Sequence, residues 1–128
     1  MAAPPNGDEL KDDSKISSDT KVLRRIPPEK IKPKTRIPSS DNFSNHYDGS
    51  GTSVTIWADG VTPDDVLKDH ESFGLVALTV AEIRAQGLGI IRAPLPDNPN
   101  HAHLQGKKTT GKKRRLAAAA EWIREPRI

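Results

Sequence analysis

The sequence predicts a small α+β domain with four or five short strands, two short helices and a C-terminal helix packed on one face of the sheet. Short apolar stretches of strand length, such as residues 74–78, alternate with segments that begin like helices. Two threonines mark helix starts: Thr62 precedes a proline and two aspartates, and Thr79 precedes a glutamate by three residues. A chain of 128 residues has room for one core.

The individual elements are predicted from local patterns along the chain. Alternating β-branched residues or continuous apolar runs indicate strands at residues 21–26, 52–57, 74–78, 88–92 and 101–105. The capping patterns indicate helices from residue 62 to about residue 70 and over residues 80–86. Residues 1–20 contain almost nothing to bury, so we expect a disordered tail there and a single domain over residues 21–128.

The longest predicted helix covers residues 109–124. Leu116, Ala120 and Ile123 recur at spacings of four and three, which places them on the face that should pack on the sheet. The first turn instead carries consecutive cations from Lys112 to Arg115, at the end of the helix dipole that disfavours positive charge. A broken local rule of this kind is a reason to look for function at the helix start.

Charge and composition narrow the class of protein. The net charge is +3, and cations concentrate between Lys107 and Arg127, which favours an anionic partner at that end. The chain contains no cysteine, which excludes disulfides and thiolate metal sites. It has neither an apolar run of roughly 18 residues nor a signal-peptide apolar region after Met1. We therefore expect a cytoplasmic protein with no membrane partner.

The sharpest motif lies between the last predicted strand and the last predicted helix. Gly106, Gly111 and Lys112 have the spacing of a phosphate-binding P-loop. Lys113 stands where a hydroxyl residue would hold magnesium, so a nucleoside triphosphatase is not expected. Backbone N–H groups and cations at a helix start can still hold a phosphate or a nucleic-acid backbone, whereas the simpler interpretation is a solvated basic turn. The anion-binding candidates are Lys107, Lys108, Lys112, Lys113, Arg114 and Arg115.

Histidines, serines and arginines offer a second candidate site. His101 and His103 share one face of a predicted strand, but two ligands do not make a metal site, so we expect no metal and no cofactor. His101 could instead act as a general acid or base in a pocket with a serine and an arginine. The catalytic candidates are Ser39, Ser40, His101, Arg25 and Arg36. The simpler interpretation is a structural histidine together with serines that cap turns.

Several segments together resemble a family of small bacterial proteins of unassigned function. They are Arg36-Ile37-Pro38-Ser39-Ser40 followed by Phe43, Ser53-Val54, Gly74-Leu75-Val76-Ala77 with Thr79, Pro94-Leu95-Pro96-Asp97-Asn98-Pro99-Asn100-His101-Ala102, and Gly106-Lys107-Lys108. The family pattern has an Arg-Pro-Ser-Ser segment before a phenylalanine and a proline-rich turn ending in Pro-x-His-Ala. The resemblance implies a bacterial cytoplasmic protein and points to Ser39, Ser40 and His101, but it carries no activity.

These observations lead to three functional hypotheses. The first is a non-enzymatic accessory or binding protein that contacts a phosphate-bearing partner, with nucleic acid as the main candidate, through the basic helix start. The second is a small enzyme or nucleotide-binding domain whose pocket lies between residues 38–43 and His101. The third is a protein-interaction subunit of a larger complex, which would pair through its tail and an exposed strand edge.

Overall fold

One six-stranded antiparallel sheet organises the protein. The computed structural model describes residues 6–32 and 35–127. The strands are β1 (Lys21–Ile26), β2 (Thr52–Ile56), β3 (Gly74–Thr79), β4 (Gly89–Arg92), β5 (His101–Gln105) and β6 (Glu121–Arg124), in the spatial order β4-β5-β2-β1-β3-β6. The helices are α1 (Pro63–Val66), α2 (Val80–Ala85) and α3 (Thr110–Ala119), and a 3-10 turn covers Ser40–Phe43. The predicted α+β class is confirmed.

The additional strand, β6, comes from the end of the segment predicted as the C-terminal helix. We predicted four or five strands and a helix over residues 109–124, but α3 ends at Ala119 and Ala120 is already extended, with φ −65° and ψ 132°. Extended backbone sends Trp122 and Ile123 to opposite faces, where Trp122 packs on the main core and Ile123 on a smaller apolar cluster. The pairing of β6 with β3 also covers a strand edge.

Side-chain alternation gives the sheet one fully covered face and one partly covered face. On the covered face, Val22 and Leu104 pack with residues of α2 and α3 in the main core. On the other face, the segment between β2 and β3 packs over Leu23 and Leu75. The β5 end of that second face is left partly exposed, at His101 among others. A cavity can therefore form there between the covering segment and the loop that precedes β5.

The two short helices start where the threonines predicted. The side chain of Thr62 accepts from the backbone N–H of Asp65, and the Asp65 carboxylate accepts from the N–H of Thr62. Thr79 and Glu82 form the same reciprocal pair at the start of α2. These capping boxes satisfy backbone donors that a helix start leaves free. The α1 helix is shorter than predicted, since it ends at Val66 rather than near residue 70.

Residues 6–20, which we expected to belong to a disordered tail, lie against the domain in the structure. Ile16 is buried in the main core. Arg84 of α2 holds this segment, because its guanidinium donates to the Asp12 carboxylate at 3.2 Å and to the Ile16 carbonyl at 2.8 Å. Residues 1–5 of the expected tail lie outside the described residues.

The same segment covers part of the outer edge of β4. The backbone N–H of Asp13 donates to the Ile90 carbonyl at 2.8 Å, and the Ile90 N–H donates to the Asp12 carboxylate at 3.0 Å. Gly89 permits this close approach, since a Cβ there would lie 2.2 Å from the Lys11 carbonyl oxygen. The chain thus blocks one of its own sheet edges, which would otherwise be a template for pairing with another chain.

Candidate anion-binding sites

The first candidate site is the basic segment, which we define as residues 107–115. Gly106, with a φ of +119°, ends β5 and turns the chain into this segment. The side chain of Thr109 then caps α3 by accepting from the Lys112 N–H at 3.3 Å. Lys107 and Arg114 are exposed. The sequence therefore displays a row of cations at the start of a helix.

Lys108 differs from its neighbours because its ammonium group is already occupied. Nζ donates to the carbonyls of Gly7 and Gly106 at 3.0 Å each and to the Asn45 side-chain oxygen at 2.6 Å. Burial lowers the pKa of Lys108 to about 8, against an opposing effect of the Asp8 carboxylate. An ammonium has three N–H donors, and all three have partners here. This side chain ties the N-terminal segment to the 44–50 loop.

The remaining cations of the basic segment make only neutral contacts. Lys113 donates to the Ser44 hydroxyl at 3.2 Å, and Arg115 donates to the Gln86 side-chain oxygen at 2.5 Å. Among residues 6–32 and 35–127, no carboxylate forms an ion pair with any cation of the segment. Lys113 lies close enough to Asp41 for its charge to contribute to the lowered pKa of that carboxyl. Within the described residues no direct ion pair neutralises a cation of the segment, which leaves positive charge to attract an anionic partner.

The basic segment has the glycine and lysine spacing of a P-loop, but its surroundings do not have the structure of one. The strand that precedes it, β5, lies antiparallel to both neighbouring strands, β2 and β4, so the described strands form no parallel strand-helix-strand unit at this segment. The N–H of Lys112 is used by the Thr109 cap and is not free for a phosphate. The cations remain available to a phosphate as point charges, without a backbone cradle at Lys112.

Of the catalytic candidates, the structure brings together only Arg25 and His101. Both line one cavity of about 690 Å³, which we call the sheet cavity. Ser39 and Ser40 stand at the start of the 3-10 turn and do not line it. The Ser39 hydroxyl donates to the Asp41 carboxylate, and this bond is the main cause of the lowered pKa of Asp41.

Arg36, the other arginine proposed for catalysis, is also outside the sheet cavity. Its guanidinium forms an ion pair with Glu125 at 3.3 Å, and its carbonyl accepts from the Trp122 indole N–H at 2.9 Å. Arg36 has a positive φ of 57°, which places it in the left-handed region. These contacts assign Arg36 to holding β6 in place.

The sheet cavity lies on the partly covered face of the sheet. Leu23, Thr55 and His101 are directly opposite one another on β1, β2 and β5, so their side chains form a row across its floor. The α1 region closes one side through Val66, and the loop before β5 closes the other through Asn98. The Asn98 side-chain N–H donates to the Thr55 hydroxyl at 3.0 Å, which joins that loop to the floor.

His101 has one ring nitrogen engaged and one available. Its Nδ1 lies 2.8 Å from the Ala93 carbonyl oxygen, which fixes the proton on Nδ1 in the neutral ring and leaves Nε2 as the free position. His103 lies edge-on to it, with ring centroids 4.9 Å apart. Burial lowers the pKa of His103, and His101 acts in the same direction. Within the described residues, no group of three or more potential metal ligands occurs.

Arg24 is a cavity residue that sequence reasoning missed. Its Nε donates to the Asn42 carbonyl at 3.0 Å and its Nη1 to the Ser53 carbonyl at 2.9 Å. Burial lowers the pKa of Arg24 to about 10, and the adjacent charge of Arg25 acts in the same direction. The signal in the sequence was its position, because alternation from Val22 places an arginine on the core-facing side of β1.

Comparison of the chain with protein-family models, with curated proteins and with solved structures finds no match. The resemblance to the small bacterial family thus stays an expectation from short segments. No helix in residues 6–32 or 35–127 is both long enough and apolar enough to cross a membrane.

Proposed function

We propose that this protein binds a phosphate-bearing polymer, with nucleic acid as the main candidate, through the basic segment. The observation that carries the proposal is the absence, within the described part of the chain, of a carboxylate ion pair to any cation between Lys107 and Arg115. Phosphate groups of a polymer would supply the missing negative charge, and release of their counterions would favour association.

The contact set is smaller than the six cations expected from the sequence. Lys108 is excluded because its donors are occupied by Gly7, Asn45 and Gly106. The five remaining side chains, Lys107, Lys112, Lys113, Arg114 and Arg115, can each approach a phosphate by giving up at most a neutral partner. Such contacts position a polymer without reading its sequence, so we expect little base preference.

Two observations make the rival hypotheses less favoured. A serine-histidine pair needs hydrogen-bond distance or one bridging water, and Ser39 and Ser40 do not line the cavity that His101 lines. Partner binding through the β4 edge would have to displace residues 11–13, which already cover part of it, so strand pairing with a partner would be favoured only at the opposite edge, β6.

The test is the salt dependence of binding to a fluorescein-labelled single-stranded DNA oligonucleotide, followed by anisotropy. Five phosphate contacts predict that the logarithm of the association constant falls with the logarithm of salt with a slope of about −3.5. Replacement of Arg114 by glutamine removes one contact and should reduce the slope by about 0.7. Lys21→Gln is the matched control, because Lys21 is exposed and sits in a small cleft with Ala119, at the opposite end of α3.

Three results would contradict the proposal. One is no binding at low salt, and another is binding that does not change with salt. The third is an equal loss of binding in Arg114→Gln and in Lys21→Gln, since that would mean that net charge alone, and not the basic segment, attracts the oligonucleotide.

A further inference from the structure

We propose that the sheet cavity is a second, separate binding site, which takes a small molecule with one oxyanion head, a phosphate monoester or a carboxylate, and an uncharged body. The head would lie against Arg24 and Arg25, and the body would lie along the apolar wall. This site is independent of the basic segment. Its volume of about 690 Å³ is within the range of small-molecule pockets.

The buried charge of Arg24 is the first argument. Its guanidinium is held by two backbone carbonyls, from Asn42 and Ser53, and among the described residues it has no carboxylate partner. Carbonyl oxygens satisfy donors but do not neutralise the charge, and a buried charge is normally paired. Its Nη2 makes no hydrogen bond to the described residues, so one edge of the guanidinium fork is free for a ligand oxygen.

The backbone around Arg24 shows how a side chain on the core-facing side of β1 comes to lie beside the cavity. The β1–β2 ladder contains only the pairs Val22 with Ile56 and Leu23 with Thr55. Beyond them the two strands stop pairing, and the Arg24 side chain takes the Ser53 carbonyl that a ladder bond would otherwise use. Strand separation at this point thus leaves the guanidinium in the gap between β1 and β2, at a residue that lines the cavity.

Arg25 adds a second cation beside the first. The two charges repel, which is one reason that the pKa of Arg24 is lowered, after the larger effect of burial. Partial burial also lowers the pKa of Arg25, although the carboxylate of Asp97 acts in the opposite direction. Asp97 is exposed and makes no ion pair with Arg25 within the described residues. An oxyanion near both guanidiniums would reduce their repulsion.

Other wall groups define the rest of the ligand. The Thr55 hydroxyl accepts from Asn98 and keeps its own O–H to donate, and His101 presents Nε2. Leu23 and Val61 supply apolar wall. The exposed carboxylates in the lining are Asp65, Asp69 and Asp97. They would repel further negative charge on the ligand, and the exposed Lys68 of the same lining would repel further positive charge, so a body without additional charge fits best.

The experiment uses four probes with the full-length protein: phenyl phosphate, benzoate, inorganic phosphate and the neutral analogue benzyl alcohol. Amide chemical shifts are followed in ¹H–¹⁵N spectra at constant salt. We expect phenyl phosphate or benzoate to move the signals of Thr55, Asn98 and His101, with benzyl alcohol much weaker. The tighter of the two anions identifies the head group, and inorganic phosphate shows whether the head alone binds.

Variants assign the binding to the arginines. Arg25→Gln should weaken the tighter probe by at least about tenfold, since a hydrogen bond to a charged group is worth roughly 1.5–3 kcal/mol. Arg24→Gln should weaken the same probe to a similar extent. If the Arg24 variant does not fold, the result for Arg25→Gln alone decides whether the inference holds. Arg92→Gln is the control, because Arg92 is exposed on β4 and does not line the cavity.

Several outcomes would overturn this inference while leaving the proposed function standing. These are equal binding of benzyl alcohol and the anions, unchanged affinity in Arg25→Gln, no binding by any probe, and shifts confined to residues 107–115. Conversely, if the oligonucleotide assay fails while the cavity binds phenyl phosphate or benzoate, the proposed function is wrong and this inference stands.

Discussion

Replacement of Lys108 by methionine tests whether this lysine is a structural residue or a phosphate contact. In the folded protein Lys108 Nζ donates to Gly7 O, Gly106 O and Asn45 Oδ1. Methionine fills the same space with no donor. The carbonyl of Gly7 also accepts from the Gly106 N–H at 2.9 Å, so it keeps one partner after the change. The groups left without this donor are the Gly106 carbonyl and the Asn45 side chain.

The expected cost is a loss of about 2 kcal/mol in the free energy of unfolding. One carbonyl that loses its partner on the buried residue Gly106 costs roughly 1–3 kcal/mol, and Asn45 can turn to water at a smaller cost. Removing the partly buried ammonium charge is itself favourable and offsets part of this loss. The offset is small because the ammonium is about half exposed and water screens its charge. Lys107→Met is the matched control, because Lys107 is exposed. We expect it to stay within about 0.5 kcal/mol of the parent protein.

The assay is urea unfolding at pH 7 and at higher pH. The pKa of Lys108 is lowered to about 8 in the folded state from 10.5. Between these values the unfolded chain holds more protons, so the stability of the parent protein should rise with pH from about 8 to 10.5. Lys108→Met should lack that rise and should keep the salt slope for DNA. Equal stability of the Lys107 and Lys108 variants, or a flatter slope only in Lys108→Met, would refute the structural role.

Three further predictions concern the N-terminal segment and the start of α3. Arg84→Met removes the clamp on residues 12–18, so limited proteolysis should cut there faster than in the control Arg92→Met, and equal cleavage rates would contradict the clamp. Gly89→Ala should destabilise by more than about 2 kcal/mol, since its Cβ would meet the Lys11 carbonyl at 2.2 Å. Gly111→Ala, whose nearest contact would be the flexible Arg115 side chain at 3.5 Å, should instead stabilise the helix by about 0.5 kcal/mol. Thermal unfolding compares the two glycine variants, and a Gly89→Ala protein as stable as the parent would mean that residues 11–13 do not lie on β4.

Most elements of the fold could be predicted because the residues that mark them lie within a few positions of one another in the chain. Threonine caps are contacts over three residues, and both predicted capping positions are occupied as expected. The predicted end of the last helix was wrong. The alanine run favours helix, but the pairing of β6 with β3 is a long-range contact that local helix propensity does not take into account. Ile16 was likewise assigned to the expected tail, since one apolar residue in a polar segment carries no local sign that a core will bury it.

The candidate sites show the same limit at the level of single side chains. Lys107 and Lys108 are indistinguishable in the sequence, yet the contacts that separate them come from Gly7 and Asn45, which lie far away along the chain. Arg24 and Arg25 are likewise adjacent, and alternation sends them to different faces of β1. Arg25 shares the cavity face with Leu23, whereas Arg24 lines the cavity at the point where β1 and β2 stop pairing beyond Leu23. Charge along a sequence therefore predicts that anions are attracted, while the identity of the contacting residues depends on which donors the fold has already used.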